Sequence, residues 1–401
     1  TGIPMAATND SHYLRREDAK MQSILLCIQT GKTMQDADKM EFQTDEFYVK
    51  TTDEMYDLFA MVPEACENTQ KIADQCNFDF DFGHTKIPYY KAPNGMDNQA
   101  FFEKLCWEGL ERRYGPDVPQ ANKDRLTYEI GVVKTMGYTN YYLIVWDYIN
   151  YAKSQGIPVG PGRGSAAGAI CTYAMGITDL DPLPNGLLFE RFLSPERVEM
   201  PDIDVDFDPD GRGRVLDYVG EKYGRDKVAQ CVIYGTIKTK QALKDSARIM
   251  GYEFSMGERI TKALPPAQTG GKDIPLRDIF EPTSKRYAEA REFRELYDSD
   301  PDAKRVTDEA MGIEGLIRQT GVHACATIMG SEPISNTSPL LERTDGTVTT
   351  TLEYHTCETL GLVKMDFLGL SNLTVIRDTL NNIEANGKER IDHTKIPLDD
   401  R

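Results

Sequence analysis

The sequence predicts a mixed α/β (α+β) architecture in which a helical, charged segment interrupts one strand-bearing domain. Three observations carry this expectation. Strand-like stretches at 157–159 and 200–207 come first. Residues 236–320 follow, mostly helical in pattern, rich in charge and poor in strand signal. Strand-like material returns at 326–329, 347–352 and 362–367. Alternation of period two marks strands and apolar residues at helical spacing mark helices. Two strand-bearing segments around a helical one fit a single mixed domain with an insertion.

The chain has 401 residues, which exceeds one compact core and points to several domains. Hydrophobic residues make up 40% and charged residues 27%, the balance of a soluble globular protein, not of a disordered one. Lys and Arg number 46 against 64 Asp and Glu, a net charge of −18. This excludes generic polyanion binding by the whole surface but leaves room for a local basic face. No run of apolar residues is long enough to span a membrane. The eight cysteines are dispersed without a CxxC pair, so a reduced, cytoplasmic chain is expected, not a disulfide scaffold or zinc module. Both ends read as cut from something longer.

Taken in order, residues 1–12 read as a short strand running into a polar turn. Residues 13–80 are helical in pattern, with Leu14, Ala19, Ser23, Leu26 and Cys27 on one face and Met55, Leu58, Phe59 and Ala65 on another. Pro88 and the Ala92-Pro93-Asn94-Gly95 turn close that region. Phe101, Phe102, Leu105 and Leu110 mark a helix that ends at Tyr114-Gly115-Pro116, and Leu143 to Tyr151 form a nearly all-apolar helix. Ile157 to Val159 form a short strand opening onto a glycine-rich loop.

The most informative segment is Met200-Pro201-Asp202-Ile203-Asp204-Val205-Asp206-Phe207. In an extended chain Asp202, Asp204 and Asp206 share one face, while Ile203, Val205 and Phe207 share the other. Three like charges along one face repel unless a cation neutralises them, and Mg²⁺ with its oxygen ligands is the usual answer. A solvated edge strand that uses acids against aggregation is the plain alternative. A calcium loop is another, since Asp206, Asp208, Asp210, Gly211 and Asp217 fall at EF-hand-like spacing. Against it stand Asp in place of Glu at the twelfth position, Gly213 at the eighth, and Pro201 in the entering segment. A second strand, Leu362 to Leu370, places one Asp, Asp366, in an apolar run with Lys364 on the same face. A buried carboxylate needs a partner. Lys364 can supply it as a salt bridge, or a metal can be shared with the first strand. Carboxylates from two strands can hold two ions about 4 Å apart.

The loop Val159-Gly160-Pro161-Gly162-Arg163-Gly164-Ser165-Ala166-Ala167-Gly168 precedes a small-residue helical stretch through Ala174. Such glycines let amides converge on an anion ahead of a helix N-terminus. It is not a Walker A loop, because no Lys precedes Ser165. It fits the loose GxGxxA dinucleotide pattern, but Thr178-Asp179-Leu180-Asp181-Pro182 follows where a second strand is needed. A tight turn that requires glycine is the plain reading. Arg191 and Arg197, in Phe189-Glu190-Arg191-Phe192 and Pro195-Glu196-Arg197-Val198, have the fork that suits phosphate oxygens, although each also has a neighbouring Glu. Phosphate cradle, arginines, Asp strand and Lys-x-Asp strand together describe a nucleoside triphosphate site. Between Arg212 and Arg248 nine basic residues oppose four acidic ones, against the sign of the whole chain. Lys240, Lys244 and Arg248 form one helical stripe there. This is either a solvated face or a phosphate-backbone contact surface.

In order and spacing these motifs, with Leu188 to Leu193, Tyr234-Gly235-Thr236 and Lys364 to Leu370, resemble those of the C-family replicative DNA polymerases, the bacterial DNA polymerase III alpha subunits. The likeness covers essentially the whole chain. It implies a polymerase-beta-like nucleotidyltransferase palm, residues 73–235 and 321–371, with an inserted helical thumb at 236–320. Residues 1–72 resemble the end of a PHP domain and 372–401 the start of the fingers. By the same resemblance Asp202, Asp204 and Asp366 are the catalytic, metal-holding carboxylates for two Mg²⁺ ions, with Asp206 in support. Gly164, Ser165, Arg191, Arg197 and Lys364 would grip the incoming triphosphate. Lys240, Lys244 and Arg248 would face duplex DNA, a placement read from charge.

The expected activity is template-directed nucleotidyl transfer from a dNTP to a primer 3′-hydroxyl, with primer–template DNA as partner and the sliding clamp and other replisome subunits bound by regions outside this sequence. Two rivals are a non-catalytic nucleotide- or DNA-binding fragment and a non-templated nucleotidyltransferase. The sequence departs from the family pattern in three respects. The leading histidine-rich PHP motifs are absent, and Asn9-Asp10-Ser11-His12 resembles only their last Asp-x-His pair. Fingers, clamp-binding segment and OB domain are missing. Thr349-Thr350-Thr351-Leu352-Glu353 replaces a Thr-Gln-aromatic-Asp run, which implies a locally altered strand.

Overall fold

Runs of helices separate the strands along a chain whose computed structural model describes residues 2–196, 200–267, 273–392 and residue 396. Three helices come first: α1 (Ala19–Thr30), α2 (Thr52–Leu58) and α3 (Glu64–Ala73). They are followed by α4 (Asn98–Tyr114), α5 (Gln120–Thr135), α6 (Thr139–Ser154) and the short α7 (Ile170–Met175). Strand β1 (Asp204–Phe207), α8 (Pro209–Tyr223) and β2 (Val228–Thr236) lead into helices α9 (Thr239–Ile249), α10 (Phe254–Lys262), α11 (Leu276–Phe280), α12 (Arg291–Ser299) and α13 (Pro301–Ile313). The remainder is β3 (Ile317–Met329), β4 (Leu340–Glu342), β5 (Val348–Thr350), α14 (Tyr354–Thr359), β6 (Val363–Gly369) and α15 (Ser371–Ala385).

The strands form one six-stranded mixed sheet in the order β1-β6-β3-β2-β5-β4. Strand β1 runs parallel to β6 with Asp204 opposite Asp366, and β6 is antiparallel to β3 with Asp366 opposite Ala326. The chain divides into two compact units. One contains residues 1–79 and 234–320, the other residues 80–233 and 321–401, so the boundaries fall within β2 and β3. The first is mainly helical. Its core joins Ile24 and Cys27 of α1 to Leu243, Ile260, Phe293 and Val306. The second is built around a core of Phe102, Tyr141, Tyr142, Tyr148, Phe207 and Phe367, with a smaller cluster of Cys231, Ile328, Cys357 and Leu362.

Several local expectations change. Residues 1–12 contain no strand among the described residues; an isolated bridge pairs Tyr13 with Tyr48. Only three α-helices occupy 13–80, because Gly31 ends α1 in the left-handed region. Residues 157–159 make a single bridge, Val159 to Phe207, since Pro158 has no amide to donate. Helix α5 was hidden by its polar first turn, Gly131 and the β-branched Val132-Val133. Strand β3 begins at Ile317, well before Ala326; its first half is largely exposed and polar, so no apolar alternation marks it. The Thr349-Thr350 stretch forms part of β5, both residues buried. No helix among the described residues is long and apolar enough to cross a membrane.

Capping explains several boundaries. Asp97 accepts from the Ala100 amide ahead of α4, and Asp208 and Asp300 cap α8 and α13, each followed by Pro at the first helical position. Helix α4 passes so close to α7 that a Cβ on Gly109 would sit 2.0 Å from the Ala174 carbonyl oxygen. Backbone cannot yield as a flexible side chain can. Gly109→Ala is therefore expected to destabilise the protein by roughly 1–3 kcal/mol or more, read as a fall in thermal unfolding temperature. An unchanged midpoint would contradict this packing.

Candidate active site

The alternation of the carboxylate segment survives in its burial. Ile203, Val205 and Phe207 are buried, whereas Asp202 is exposed and Asp204 and Asp206 are half-buried. Only Asp204–Phe207 are hydrogen-bonded strand, because Pro201 lacks a donor and Ile203 donates instead to the Tyr141 hydroxyl at 2.9 Å. β1 is an edge strand, as the plain alternative supposed. Its acids nevertheless converge with one from the neighbouring strand. Asp202, Asp204 and Asp366 each offer a carboxylate oxygen, and these atoms all lie within 4.8 Å of one another.

Each pair of such charges repels by about 3 kcal/mol at an effective dielectric near 20. Burial first, then the charges of Asp202 and Asp366, hold the Asp204 carboxyl above its ordinary range. Side-chain cations offset part of this. Lys364 Nζ lies 2.6 Å from Asp366 Oδ2 and 3.2 Å from Asp202 Oδ2. Burial disfavours its charge, but the hydrogen bond and charge of Asp366, and then Asp202, raise its pKa well above that of a free lysine. Arg163 reaches Asp206 at 3.4 Å and Asp204 at 3.8 Å. The other oxygen of Asp366, Oδ1, is buried with no hydrogen-bond partner. An orphaned carboxylate oxygen beside two more acids suits a hard divalent cation with oxygen ligands. The three side chains therefore fit a metal centre.

The calcium loop does not form. Asp210, Gly211 and Asp217 lie within α8, and the buried Asp208 is occupied as its cap, accepting from Thr374 at 2.6 Å and pairing with Arg377.

Beside the carboxylates lies a cavity of about 500 Å³ lined by Gly164, Ser165, Gly168, Gly186, Leu187, Leu188 and Arg191. Gly164 has φ of 63°, a left-handed backbone that suits glycine, and a Cβ there would lie 3.7 Å from Asp204 Oδ2. The glycine loop therefore abuts the acidic strand. Three of its carbonyls are taken: Pro161 accepts from the Asp179 amide, Ala166 from the Thr172 hydroxyl and Gly168 from Arg125. The amides of Gly162, Arg163 and Gly164 have no acceptor among the described residues. Amide donors left open in a glycine-rich turn can cradle an anion. The loop continues as a 3-10 turn, Ser165–Gly168, before α7, in place of one helix through Ala174. Arg191 is exposed, and its guanidinium has no partner among the described residues. Arg197 lies outside the described residues.

Lys240, Lys244 and Arg248 belong to the other unit. Lys240 pairs with Asp273 at 2.9 Å, Lys244 with Glu258 at 2.5 Å, and Arg248 donates to the Lys32 carbonyl at 3.3 Å. Each cation of the basic stripe is thus engaged within its own unit.

Sequence reading passed over three neighbours of the acids. Arg163 was seen only as part of the glycine loop. Glu358 on α14 is held above its ordinary range by burial, with Asp202 and Asp366 adding to the effect. Cys325 of β3 lies one residue before the position opposite Asp366. Burial first, then Asp366, pushes its thiol up to about 11. No local pattern flags these positions, because their proximity to the acids depends on sheet register and on the packing of α14.

Two outcomes follow. A Cys325 thiol raised by Asp366 should be alkylated by iodoacetamide at pH 9 more slowly than the exposed Cys76, and Asp366→Asn should speed it, as read by peptide mass spectrometry. Equal rates for Cys325 in the two proteins would contradict the coupling. The raised Asp204 carboxyl costs folded-state stability once ionised, and that cost is relieved as pH falls through its folded-state value. In EDTA near neutral pH Asp204→Asn should melt above the wild type, with the gap closing as pH is lowered. A variant that melts below the wild type at pH 7 would reverse the sign.

The family described as the bacterial DNA polymerase III alpha NTPase domain matches residues 100–369. The DNA polymerase III subunit alpha of Mycobacterium tuberculosis (strain ATCC 25618 / H37Rv) is 49% identical over 405 residues, covering 100% of this chain and 34% of that protein. The subunit of the same name from Saccharopolyspora erythraea is 46% identical over 404 residues, with 100% and 34% covered. That of Borreliella burgdorferi is 41% identical over 387 residues, with 96% and 33% covered. The chain spans about a third of the length of these relatives.

Proposed function

Because the chain belongs to the bacterial DNA polymerase III alpha family, we propose that it carries the nucleotidyl-transfer centre of a replicative DNA polymerase. In the longer protein this centre would add a dNTP to a primer 3′-hydroxyl under template direction. The observation that carries the proposal is the convergence of Asp202, Asp204 and Asp366 from adjacent strands beside a cavity with open amides and an unpartnered Arg191.

Asp202, Asp204 and Asp366 would hold two Mg²⁺ ions. Bound there, the ions supply activation of the primer hydroxyl and charge stabilisation for the departing pyrophosphate. The protein's own part is positioning. The amides of Gly162 to Gly164 and the Ser165 hydroxyl face the phosphates, Arg191 approaches from the other wall, and Arg197 is assigned by family resemblance alone. Lys364 bridges Asp366 and Asp202 and directs them to one point, and by family resemblance it would also meet the incoming triphosphate. Nothing in this arrangement calls for a covalent intermediate; orientation and preorganised charge perform the work.

In this reading residues 73–235 and 321–371 are palm, 236–320 thumb, 1–72 the end of a PHP domain and 372–401 the start of the fingers. Primer–template DNA is the macromolecular partner, and sliding clamp and replisome subunits belong to the longer protein. Lys240, Lys244 and Arg248 would meet the DNA backbone by exchanging their present carboxylate and carbonyl partners for phosphate. That exchange makes the contact weaker than for free cations.

Calorimetry of dNTP binding in Mg²⁺ tests the centre. Asp202→Asn/Asp204→Asn should lose metal-dependent affinity by roughly 100-fold or more. Binding that persists unchanged in the double variant would overturn the proposal. Primer extension on the same samples separates catalysis from nucleotide binding alone, and its dependence on template separates polymerisation from untemplated transfer.

A further inference from the structure

The carboxylate centre and the cradle leave one buried ion pair unused. On α5, Glu129 is fully buried. Its Oε1 accepts from Arg125 Nε at 2.7 Å, and its Oε2 accepts from the Cys171 amide at 3.0 Å. The Ile170 amide also favours the charged form of this carboxylate. Glu129 thereby holds the first turn of α7, the element that follows the glycine loop. Arg125 contacts both walls of the cavity. Its Nη2 donates to the Gly168 carbonyl at 3.2 Å on one side, and its guanidinium lies 6.0 Å from the ring centroid of Phe189, two residues before Arg191, on the other. The walls are in close approach there, since a Cβ on Gly168 would lie 2.7 Å from the Leu188 carbonyl oxygen.

The far end of α7 is held by the opposite charge. Arg113 donates to the Tyr173 and Thr178 carbonyls at 3.0 and 2.9 Å, and Lys153 donates to the Gly176 carbonyl at 2.8 Å. A carboxylate at the helix start and cations at its end both agree with the helix dipole. The six-residue helix is thus pinned at both ends. A buried charge pair is weak evidence of stability by itself. Here the bonds that the pair makes beyond its own contact go to the Gly168 carbonyl and the Cys171 amide, on either side of the junction between the glycine loop and α7.

We propose that Arg125 and Glu129 are positioning residues of the nucleotide cavity, fixing the glycine-loop wall against the Arg191 wall so that the phosphate donors are set before a ligand arrives. The inference rests on the nucleotide-site reading above. Neither residue touches the phosphates; both act through Gly168, Ile170, Cys171 and Phe189. Binding energy that is not spent on ordering the loop appears as affinity.

The test compares Glu129→Gln and Arg125→Met with the wild type and with Asp147→Asn. Asp147 is a buried carboxylate bound by Tyr218, Lys222 and Tyr223, which ties α6 to α8 and serves as a control for general destabilisation. Three quantities are read: thermal midpoint, hydrogen exchange of the amides of residues 162–171 without ligand, and calorimetric affinity for a dNTP in Mg²⁺. Both α5 variants should exchange faster at Ile170 and Cys171 and bind dNTP roughly 10- to 100-fold more weakly. Their thermal response to Mg²⁺ alone should match the wild type. Asp147→Asn should lower the midpoint without changing dNTP affinity.

Unchanged exchange and affinity in both α5 variants, with wild-type binding intact, would overturn the positioning role and leave the site reading standing. The same would follow if Asp147→Asn weakened dNTP binding as much, since the effect would then be general loss of stability. Absence of metal-dependent dNTP binding in the wild type would remove the site reading and this inference together. If one α5 variant fails to fold, the other carries the comparison.

Discussion

Three carboxylates held within a few ångströms in a partly buried place repel one another, and much of the second unit is arranged to keep them together. The parallel pairing of β1 and β6 sets Asp204 against Asp366, and antiparallel β3 closes the other side of β6. Hydrophobic alternation makes this possible. Val205, Phe207, Met365 and Phe367 drive their strands onto the Tyr141 and Tyr148 core, so the intervening acids share the opposite face. Without a cation the arrangement would be costly. Lys364 supplies one within the strand itself, and Arg163 supplies a second from the glycine loop.

The same logic of compensated charge extends to the loop. Its Pro161, Ala166 and Gly168 carbonyls accept from Asp179, Thr172 and Arg125, and the amides of Gly162 to Gly164 have no acceptor among the described residues. The open amides of Gly162 to Gly164 present donors beside an acidic strand whose carboxylates could hold a cation. A triphosphate with its metal ions has the matching charge on both sides. The helical unit follows a different economy: the basic stripe of α9 is paired within that unit, which stabilises the helix packing and leaves less free charge than the sequence count suggests.

The strands and helices with strong local period were legible. The alternating acids, the isolated Asp366 after Lys364, the largely apolar α6 and the helical stretch after residue 236 all follow from side-chain spacing, which a reader can follow along one segment. Elements whose pattern is diluted escaped. Helix α5 has a polar start and an internal glycine, β3 is polar and exposed over its first half, and residues 157–159 lose their strand to a proline that cannot donate. The segment before residue 12 looks strand-like only if a partner is assumed, and none pairs with it among the described residues.

By itself the sequence determined which groups could do chemistry: the Asp-x-Asp-x-Asp run, the Lys-x-Asp strand, the glycine loop and Arg191, because residue type and local period are written in neighbouring positions. Tertiary structure alone decided which of these meet. It brought Asp202 and Asp204 to Asp366, turned Lys364 into a bridge across two of them, set aside Asp208 as a helix cap, and placed Cys325, Glu358, Arg125 and Glu129 around the centre. The physical reason is range. Strand register and backbone hydrogen bonding between residues far apart in the chain are settled by how the core packs, and no segment carries that information alone.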